Sequence, residues 1–207
     1  MTADQRQTMI DSQLKTVGIT DAGVLAGFAA VDRSRFVADA ATAYADMAQP
    51  LAPGRHLLPP MTLALLLQAA AARRGERALV VGAGSGYSAA LLASMGLAVT
   101  ALESDAALLA MAEAAGVPVV NGPLAEGWAA QAPYDLVLFE GSIEWVPPAL
   151  IMQLAPGGRV AAVFRDRLVG HAYAGPVTAD GQPAGLPFIE VAAAPLPGFA
   201  RPRAFAF

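Results

Sequence analysis

The stretch VVGAGSGYSAALL covers residues 80–92 and joins an apolar run, a glycine-rich turn and the start of a helix. Its three glycines, Gly82, Gly84 and Gly86, fall within five consecutive positions. Glycine accepts positive φ angles, and the missing Cβ lets the backbone approach a ligand closely. The following helix directs free N–H groups and its positive dipole end at that ligand. The stretch therefore predicts a ligand-binding turn between a parallel strand and its helix.

The turn differs from the two common phosphate-binding patterns. A dinucleotide fingerprint reads G-x-G-x-x-G, whereas this turn reads G-x-G-x-G and has Tyr87 at the sixth position. A Walker A loop requires Gly-Lys-Ser/Thr, which the stretch lacks. The turn therefore does not indicate a phosphate ligand, and a nicotinamide dehydrogenase is the least favoured class of enzyme.

An acidic residue, Glu103, ends the next apolar run, which covers residues 97–103. A carboxylate at the end of the second strand accepts hydrogen bonds from a ribose diol and so places an adenosine across the glycine turn. The rest of the ligand then meets the helix end, where a carboxylate is favoured. S-adenosylmethionine combines adenosine with a carboxylate and has no phosphate, so it is the predicted cofactor. The alternative is that the glycines only make a tight turn.

Apolar runs and helical patterns alternate around the turn. The predicted strands cover residues 77–81, 97–103, 117–120, 134–140 and 159–164, with helices between them and two closing edge strands within 171–177 and 187–196. Such alternation is typical of a doubly wound, mostly parallel sheet. The predicted fold class is therefore α/β and Rossmann-like.

Two helices are predicted before this sheet. The first covers residues 5–17, and the second begins with Thr20 as its N-cap, with Ile19 and Val24 spaced as a hydrophobic staple. Ser104 is a similar candidate for the cap of a later helix. After the second helix, the stretch from Asp32 to Pro60 has no apolar periodicity, and its prolines predict a loop.

Composition indicates one well-buried domain. The chain has 207 residues, of which 56% are hydrophobic and 14% charged, so disorder is not expected. We expect a single domain over residues 1–207, made of N-terminal helices and a substrate loop (1–60), a cofactor-binding core (61–164) and C-terminal edge strands (165–207).

The same numbers argue against several partners. The chain has no cysteine and two histidines, so no metal site is expected. Net charge is −4 without a basic run, so nucleic acid is not an expected partner. The longest apolar run, from Met61, ends at Arg73 and is too short to span a bilayer. With no secretory signal at the N-terminus, we expect a cytoplasmic protein.

Five motifs resemble those of one known family. They are RQTMIDSQLKTVGITDAGVLAGFAAVDRSRFV (6–37), AYAD (43–46), GAGSGYSAALLASMG (82–96), PYDLVL (133–138) and VPPALIMQLAPGGRV (146–160). Together they resemble the protein-L-isoaspartate O-methyltransferases, which repair isoaspartyl residues in damaged proteins with S-adenosylmethionine. The resemblance is strongest over residues 6–164.

The resemblance implies a seven-stranded sheet whose last strand is antiparallel, and it implies a cofactor site. Glu103 would hold the ribose, and Asn121-Gly122 matches an Asp-Gly that lies near the adenine in the family. Glu140 follows the fourth strand and is expected either to face the site or to be solvated. The expected cofactor-binding residues are Gly82, Ala83, Gly84, Ser85, Gly86, Tyr87, Glu103, Ser104, Asn121, Gly122 and Glu140.

One segment departs from the family. Where the family has Thr-Ile-Ser in the substrate-covering loop, this chain has His56, Leu57 and Leu58, between a retained Gly54 and Pro60. A leucine cannot replace the serine hydroxyl near the reacting carboxylate. Either the acceptor is held differently or activity on isoaspartate is reduced, and Leu58→Ser is expected to raise activity if the loop is the only obstacle.

The leading hypothesis is an S-adenosylmethionine-dependent carboxyl O-methyltransferase that acts on L-isoaspartyl residues of proteins or peptides. A carboxylate has a reference pKa of about 4 and is ionised at neutral pH, so no general base is needed and no catalytic residue is assigned. The alternatives are a cofactor-binding homologue without turnover and a methyltransferase for another acceptor. The sequence does not indicate the oligomeric state.

Overall fold

The computed structural model describes residues 2–201, with side chains from residue 4 onward. Met1 and residues 202–207, which the single-domain expectation included, lie outside the described residues. The chain opens with α1 (Thr2–Met9), which continues as a π-helical segment (Ile10–Leu14) and a 3-10 turn (Lys15–Val17). Gly18 then ends the helical segment at φ +88°, as the pattern over residues 5–17 predicted.

Two helix caps lie one residue later than predicted. Helix α2 (Ala22–Ala30) is capped by Asp21, whose Oδ1 accepts the N–H of Val24 at 2.8 Å. Thr20 does not cap it, because the N–H of Thr20 donates to Gln68 and ties this segment to a neighbouring helix. Helix α5 (Ala106–Ala114) is likewise capped by Asp105 rather than Ser104. In each pair both residue types are able to cap a helix, and the aspartate has the required position.

The central sheet has the predicted seven strands in the order β5-β4-β3-β6-β7-β8-β9. They are β3 (Arg77–Val81), β4 (Ala98–Glu103), β5 (Val120–Asn121), β6 (Tyr134–Ile143), β7 (Leu154–Asp166), β8 (Val169–Gly175) and β9 (Ile189–Glu190). Strands β3 to β7 pair in parallel, β8 runs against β7, and β9 runs against β8. The antiparallel strand is therefore β8, not the last strand, because β7 and β8 are joined by a two-residue turn that only antiparallel strands allow.

Both faces of the sheet are buried. Alternate residues of β3 enter opposite clusters: Ala78 and Val80 pack with the N-terminal helices, whereas Leu79 and Val81 pack on the other face. Helices α3 (Pro60–Ala69), α4 (Tyr87–Ser94) and α6 (Pro148–Ile151) complete the layers. This explains the continuous apolar runs of the strands, since a parallel sheet covered on both faces has no polar side.

A hairpin lies in the segment that was predicted to be loop. Strands β1 (Gln49–Ala52) and β2 (Arg55–Leu57) pair antiparallel around Gly54, which has φ +73°. The prolines hid this hairpin, because such short strands with Pro50 inside one of them carry no alternating pattern. No helix within residues 2–201 is long and apolar enough to cross a membrane.

Candidate active site at the carboxyl end of the sheet

The glycine turn has the geometry that its sequence predicted. Gly82, Gly84 and Gly86 have φ angles of +71°, +58° and +91°, which side-chain-bearing residues rarely adopt. A Cβ at Gly82 would lie 2.8 Å from Leu196, and one at Gly84 would lie 2.8 Å from Leu51. The glycines therefore allow two leucines from distant parts of the chain to approach the turn closely.

Most polar groups of the turn are engaged within the protein, and few remain for a ligand. The N–H groups of Gly82 and Ala83 both donate to the carbonyl of Leu102 at 2.9 Å, which fastens the turn to the end of β4. Helix α4 starts after Gly86 with no side-chain cap among the described residues. The buried Ser85 Oγ has no hydrogen-bond partner among the residues that the structure describes. An uncapped helix end beside a free hydroxyl fits a carboxylate group.

Tyr87 points away from this opening. Its ring packs edge-on against Phe28 and Phe36, with centroids 6.2 and 5.5 Å apart, and Arg33 lies 4.7 Å from its centroid. Burial raises the pKa of the Tyr87 hydroxyl to about 12. Tyr87 therefore joins α4, here named the cofactor helix, to the N-terminal helices, and only its backbone N–H belongs to the turn.

Glu103 lies next to the turn and is completely buried. Arg55 of β2 grips it with two hydrogen bonds, Nη1 to Oε1 at 2.9 Å and Nη2 to Oε2 at 2.7 Å. The main-chain N–H groups of Gly84, Ser104 and Asp105 donate to the same carboxylate at 2.8, 2.8 and 3.1 Å. No local pattern indicates Arg55 as a partner, because it lies 48 positions from Glu103 in the sequence.

These contacts determine the charge state of Glu103. Burial by itself would raise the pKa of this carboxyl, but the hydrogen bonds and charge of Arg55, with the N–H groups of Asp105 and Gly84, outweigh burial and lower it. Glu103 is therefore an anion at neutral pH, and its acceptor positions are filled by the protein.

Glu140 neither lines the opening nor meets solvent. It lies in a bulge of β6, at 2% exposure. Its Oε1 accepts the N–H of Leu58 at 2.8 Å, and its Oε2 accepts the hydroxyl of Ser88 in α4. Burial raises the pKa of Glu140, and the two hydrogen bonds offset this only in part. Glu140 therefore links the substrate loop to the cofactor helix.

The substrate loop is held from both sides at Leu58. Its N–H donates to Glu140, while its carbonyl accepts from Arg33 Nη2 at 2.7 Å. The side chains of Leu57 and Leu58 are buried in the core, at 0% and 2% exposure. Arg33 belongs to the Arg-x-x-Phe-Val ending of the first motif, so that motif was the signal that could have identified it.

An open cavity of about 810 Å³ lies over Arg55. His56 lines it, and the buried Nδ1 of His56 has no partner among the described residues. Its walls come from the β1–β2 turn, the ends of three strands and the C-terminal segment: Pro53, Gly54, Arg55, His56, Ser104, Asp105, Ser142, Glu144, Arg165 and residues 194–200.

The C-terminal segment of residues 194–200 returns to the site instead of staying at the sheet edge. Ser142 donates its N–H to Ala194 and accepts from the N–H of Leu196, both at 2.8 Å. Phe199 packs edge-on against Phe139 with centroids 5.3 Å apart. This seats Leu196 over Gly82, a contact between the end of the chain and the glycine turn that no local pattern indicated.

The remaining predicted residues lie beside Glu103. Asn121 is its register partner on β5, and the N–H of Gly122 donates to the Glu103 carbonyl at 3.1 Å. Asn121 and Ser104 are both exposed. The structure thus brings the ribose and adenine candidates to one edge of the sheet. No group of three or more potential metal ligands occurs among the residues that the structure describes.

Of the predicted cofactor residues only Ser104 lines the cavity over Arg55, whereas the glycine turn and Glu103 are buried beside it, against Leu51, Arg55 and Leu196. The volume of the cavity lies within the roughly 300–1,000 Å³ of small-molecule sites, and the uncapped helix end, the free Ser85 hydroxyl and the anionic Glu103 match a carboxylate and a ribose. However, Arg55 occupies the acceptor positions of Glu103 that ribose hydroxyls would use. A ribose on Glu103 would therefore require Arg55 to move, and a ligand against the glycine turn would require Leu51 and Leu196 to move.

The sheet order, the glycine turn and the glutamate after the neighbouring strand define a class I methyltransferase. Solved structures agree on the fold: a protein-L-isoaspartate O-methyltransferase superposes with a TM-score of 0.69 at 21% identity, covering 87% of this chain and 66% of that one. A Plasmodium falciparum protein solved with S-adenosyl-L-homocysteine gives a TM-score of 0.71 at 20% identity, covering 82% and 88%.

Sequence comparison identifies the family. The family model for protein-L-isoaspartate(D-aspartate) O-methyltransferase matches residues 4–167. A protein-L-isoaspartate O-methyltransferase of Methylorubrum populi is 42% identical over 77% of this chain and 79% of its own length. One from Koribacter versatilis is 38% identical over 75% and 74%. The chain belongs to the protein-L-isoaspartate O-methyltransferase family.

Proposed function

We propose that the cavity at the carboxyl end of the sheet is the active site of an enzyme that methylates L-isoaspartyl residues of proteins or peptides. The chain is an S-adenosylmethionine-dependent carboxyl O-methyltransferase, and its relatives favour this over a homologue without turnover. The observation that carries the assignment is Glu103, held as an anion against the N–H of Gly84 at the glycine turn.

The chain offers a binding group for each part of the cofactor. We assign the ribose to Glu103, with Ser104 beside it, and the adenine to Asn121 and Gly122. The amino-acid part is assigned to the turn of Gly82, Ala83, Gly84, Ser85, Gly86 and Tyr87. Glu140 is not assigned to the cofactor, because its two partners tie the substrate loop to α4, whereas Glu103 pairs with Arg55, which lines the cavity.

The chemistry asks little of the side chains. When bound, S-adenosylmethionine supplies an electrophilic methyl group and a neutral thioether as the leaving group. The acceptor carboxylate is already ionised, so the chain need not remove a proton. Its residues align the acceptor and exclude water, and such alignment supplies about 7–11 kcal/mol of a reaction barrier.

The substrate loop must present its polar contacts from residues other than Leu58. That side chain lies in the core, whereas His56 faces the cavity. The backbone of the loop is fixed by Arg33 and Glu140, which gives an acceptor a rigid wall. Repair of isoaspartyl damage in the cytoplasm is the biological role that we propose for this activity.

The decisive experiment uses a pair of peptides with the same sequence, one with L-isoaspartate and one with L-aspartate. The protein is incubated with methyl-labelled S-adenosylmethionine and each peptide, and base-labile methyl ester is counted. We expect ester only with the isoaspartyl peptide. Absence of ester from both peptides, while calorimetry shows S-adenosylhomocysteine binding, would exclude this acceptor and leave the cofactor assignment standing.

A further inference from the structure

We propose that Arg55 is the residue that binds the acceptor carboxylate, and that ribose releases it for this task by replacing it on Glu103. The proposal rests on the proposed function, since it names a specificity-determining residue for that reaction. Arg55 lies at the start of β2, one residue before His56 of the substrate loop, and it lines the cavity.

Glu103 has no acceptor position left for a further hydrogen bond. A carboxylate offers about four lone-pair positions, and Glu103 receives five hydrogen bonds from the described residues. Three of these come from main-chain N–H groups of the turn and the strand end, which the fold holds in place. The two from Arg55 come from a side chain on another segment, which can turn away without a change in the fold of the turn. Ribose hydroxyls therefore gain access to Glu103 by displacing Arg55.

Once displaced from Glu103, the Arg55 guanidinium needs another anionic partner. The Arg55 side chain is 9% exposed, and a buried charge without a partner is strongly unfavourable. The other carboxylates that line the cavity are already engaged: Asp105 caps α5, and Glu144 pairs with Arg165 at 2.7 Å. The released Arg55 therefore needs an anion that arrives with the ligands, and the acceptor of this reaction is a carboxylate.

The Arg55 guanidinium has a suitable position and geometry to bind the acceptor carboxylate. Arg55 Nη2 also donates to the carbonyl of Gly82 at 3.0 Å, so the guanidinium already lies against the glycine turn. A planar guanidinium binds a carboxylate through two parallel hydrogen bonds. Because the Leu58 side chain is buried in the core, Arg55 supplies the polar contact that the loop lacks at that position.

This exchange couples the two ligands. Cofactor binding has to break the Arg55–Glu103 pair, and the acceptor carboxylate stabilises the broken state. Each ligand must then increase the affinity of the other by the same factor. In the wild-type protein, calorimetry with S-adenosylhomocysteine should thus show tighter binding when the isoaspartyl peptide is present than when the aspartyl peptide is present.

The test compares wild type with Arg55→Gln, whose amide still donates to Glu103 but carries no charge, and with Arg55→Lys, which keeps the charge without the fork. Glutamine competes with ribose for Glu103 less strongly than arginine does. We therefore expect Arg55→Gln to bind S-adenosylhomocysteine about 5-fold more tightly, a factor at the low end of typical coupling between two sites. The isoaspartyl peptide should no longer increase this affinity. We expect the KM of Arg55→Gln for the isoaspartyl peptide to rise about 30-fold, the loss typical of truncating one partner of a buried charge pair. For both the affinity and the KM, Arg55→Lys should fall between wild type and Arg55→Gln.

The matched control is Arg201→Ala, which removes an exposed arginine paired with Asp180 at 3.3 Å and should change neither quantity. Weaker S-adenosylhomocysteine binding by Arg55→Gln would overturn the release step, and an unchanged KM would overturn the acceptor step. The binding measurement needs no turnover. It therefore tests the release step even where the ester assay has excluded isoaspartate as the acceptor.

Discussion

Two buried glutamates flank the glycine turn, and their surroundings give them opposite character. In the sheet, Val81 pairs with Leu102 on one side and Phe139 on the other, so Glu103 and Glu140 are the next residues on either side of Gly82. Glu103 is matched by an arginine and three N–H groups and is held ionised, whereas Glu140 has a hydroxyl and one N–H, and its pKa is raised. Burial is common to both, so the donors decide the direction in which each pKa is shifted.

This difference separates a ligand site from a structural link. Glu103 keeps a charge that hydroxyl groups of a ligand can use once Arg55 leaves. Glu140 holds two segments of the protein together, Leu58 in the substrate loop and Ser88 in α4. Of two carboxylates at equivalent places on either side of β3, we propose one for cofactor binding, whereas the other positions the loop through Leu58.

The largest expected effect is that of Glu103→Gln. It leaves Arg55 as a buried charge without its partner, and breaking such a pair costs about 3–5 kcal/mol of unfolding free energy. Because the pKa of Glu103 is lowered on folding, the wild-type advantage is present above pH 4.5, the ordinary value, and is lost as the pH falls through the lowered pKa. Urea unfolding across this range measures the effect.

The control for Glu103→Gln is the double variant Glu103→Gln/Arg55→Gln. Removing both charges should restore part of the lost stability, because no unpaired charge then remains buried. A double variant as unstable as the sum of the two single variants would mean that the pair contributes no coupling.

The next largest effect is expected from Leu58→Ser on the Glu140 side. Leu58 is 2% exposed, and truncating a core leucine costs about 3 kcal/mol. The structure therefore changes the expectation from the sequence that a serine here would raise activity, because its hydroxyl would point into the core. Thermal unfolding measures the loss of stability. Leu25→Ser is the control, and it should lose less stability because Leu25 is only partly buried. A Leu58→Ser protein of wild-type stability would show that the loop rearranges.

A smaller effect is expected at the turn that supports Glu103. Gly84→Ala places a side chain at φ +58° and against Leu51, and we expect a loss of about 2 kcal/mol from backbone strain and crowding together. Gly75→Ala is the matched control, since Gly75 has φ +87° but nothing within 4 Å of its added Cβ. Equal losses of urea-unfolding free energy in the two variants would show that the contact with Leu51 costs nothing.

The smallest effect is expected from Glu140→Gln, whose amide oxygen accepts the Leu58 N–H and whose NH2 group donates to the Ser88 hydroxyl. Its stability at neutral pH should be within about 1 kcal/mol of wild type or slightly above, because no charge is buried. Since the folded-state pKa of Glu140 is raised, the wild type loses stability as the pH rises from 4.5 through that pKa. The difference in favour of Glu140→Gln should therefore grow with pH over that window, and a difference that shrinks would contradict the raised pKa.

Much of the fold and part of the site were accessible from local patterns. The alternation of strands and helices, the positive φ angles of the glycine turn and the place of Glu103 follow from residues that are close in the sequence. The caps show the limit of such reasoning, because Thr20 and Asp21 are both suitable and only the contact of Thr20 with Gln68 distinguishes them.

The sequence by itself determined the sheet, the glycine turn, the position of Glu103 at the end of its strand and the family, since each depends on short-range periodicity or on contiguous motifs. Only the tertiary structure decided that Arg55 closes Glu103, that Arg33 and Glu140 hold Leu58, and that Leu196 covers Gly82. These contacts join residues tens of positions apart, and their geometry depends on how the hairpin and the C-terminal segment pack onto the sheet. Burial and pairing in that packing, and not residue type, shift the pKa values of two similar glutamates in opposite directions.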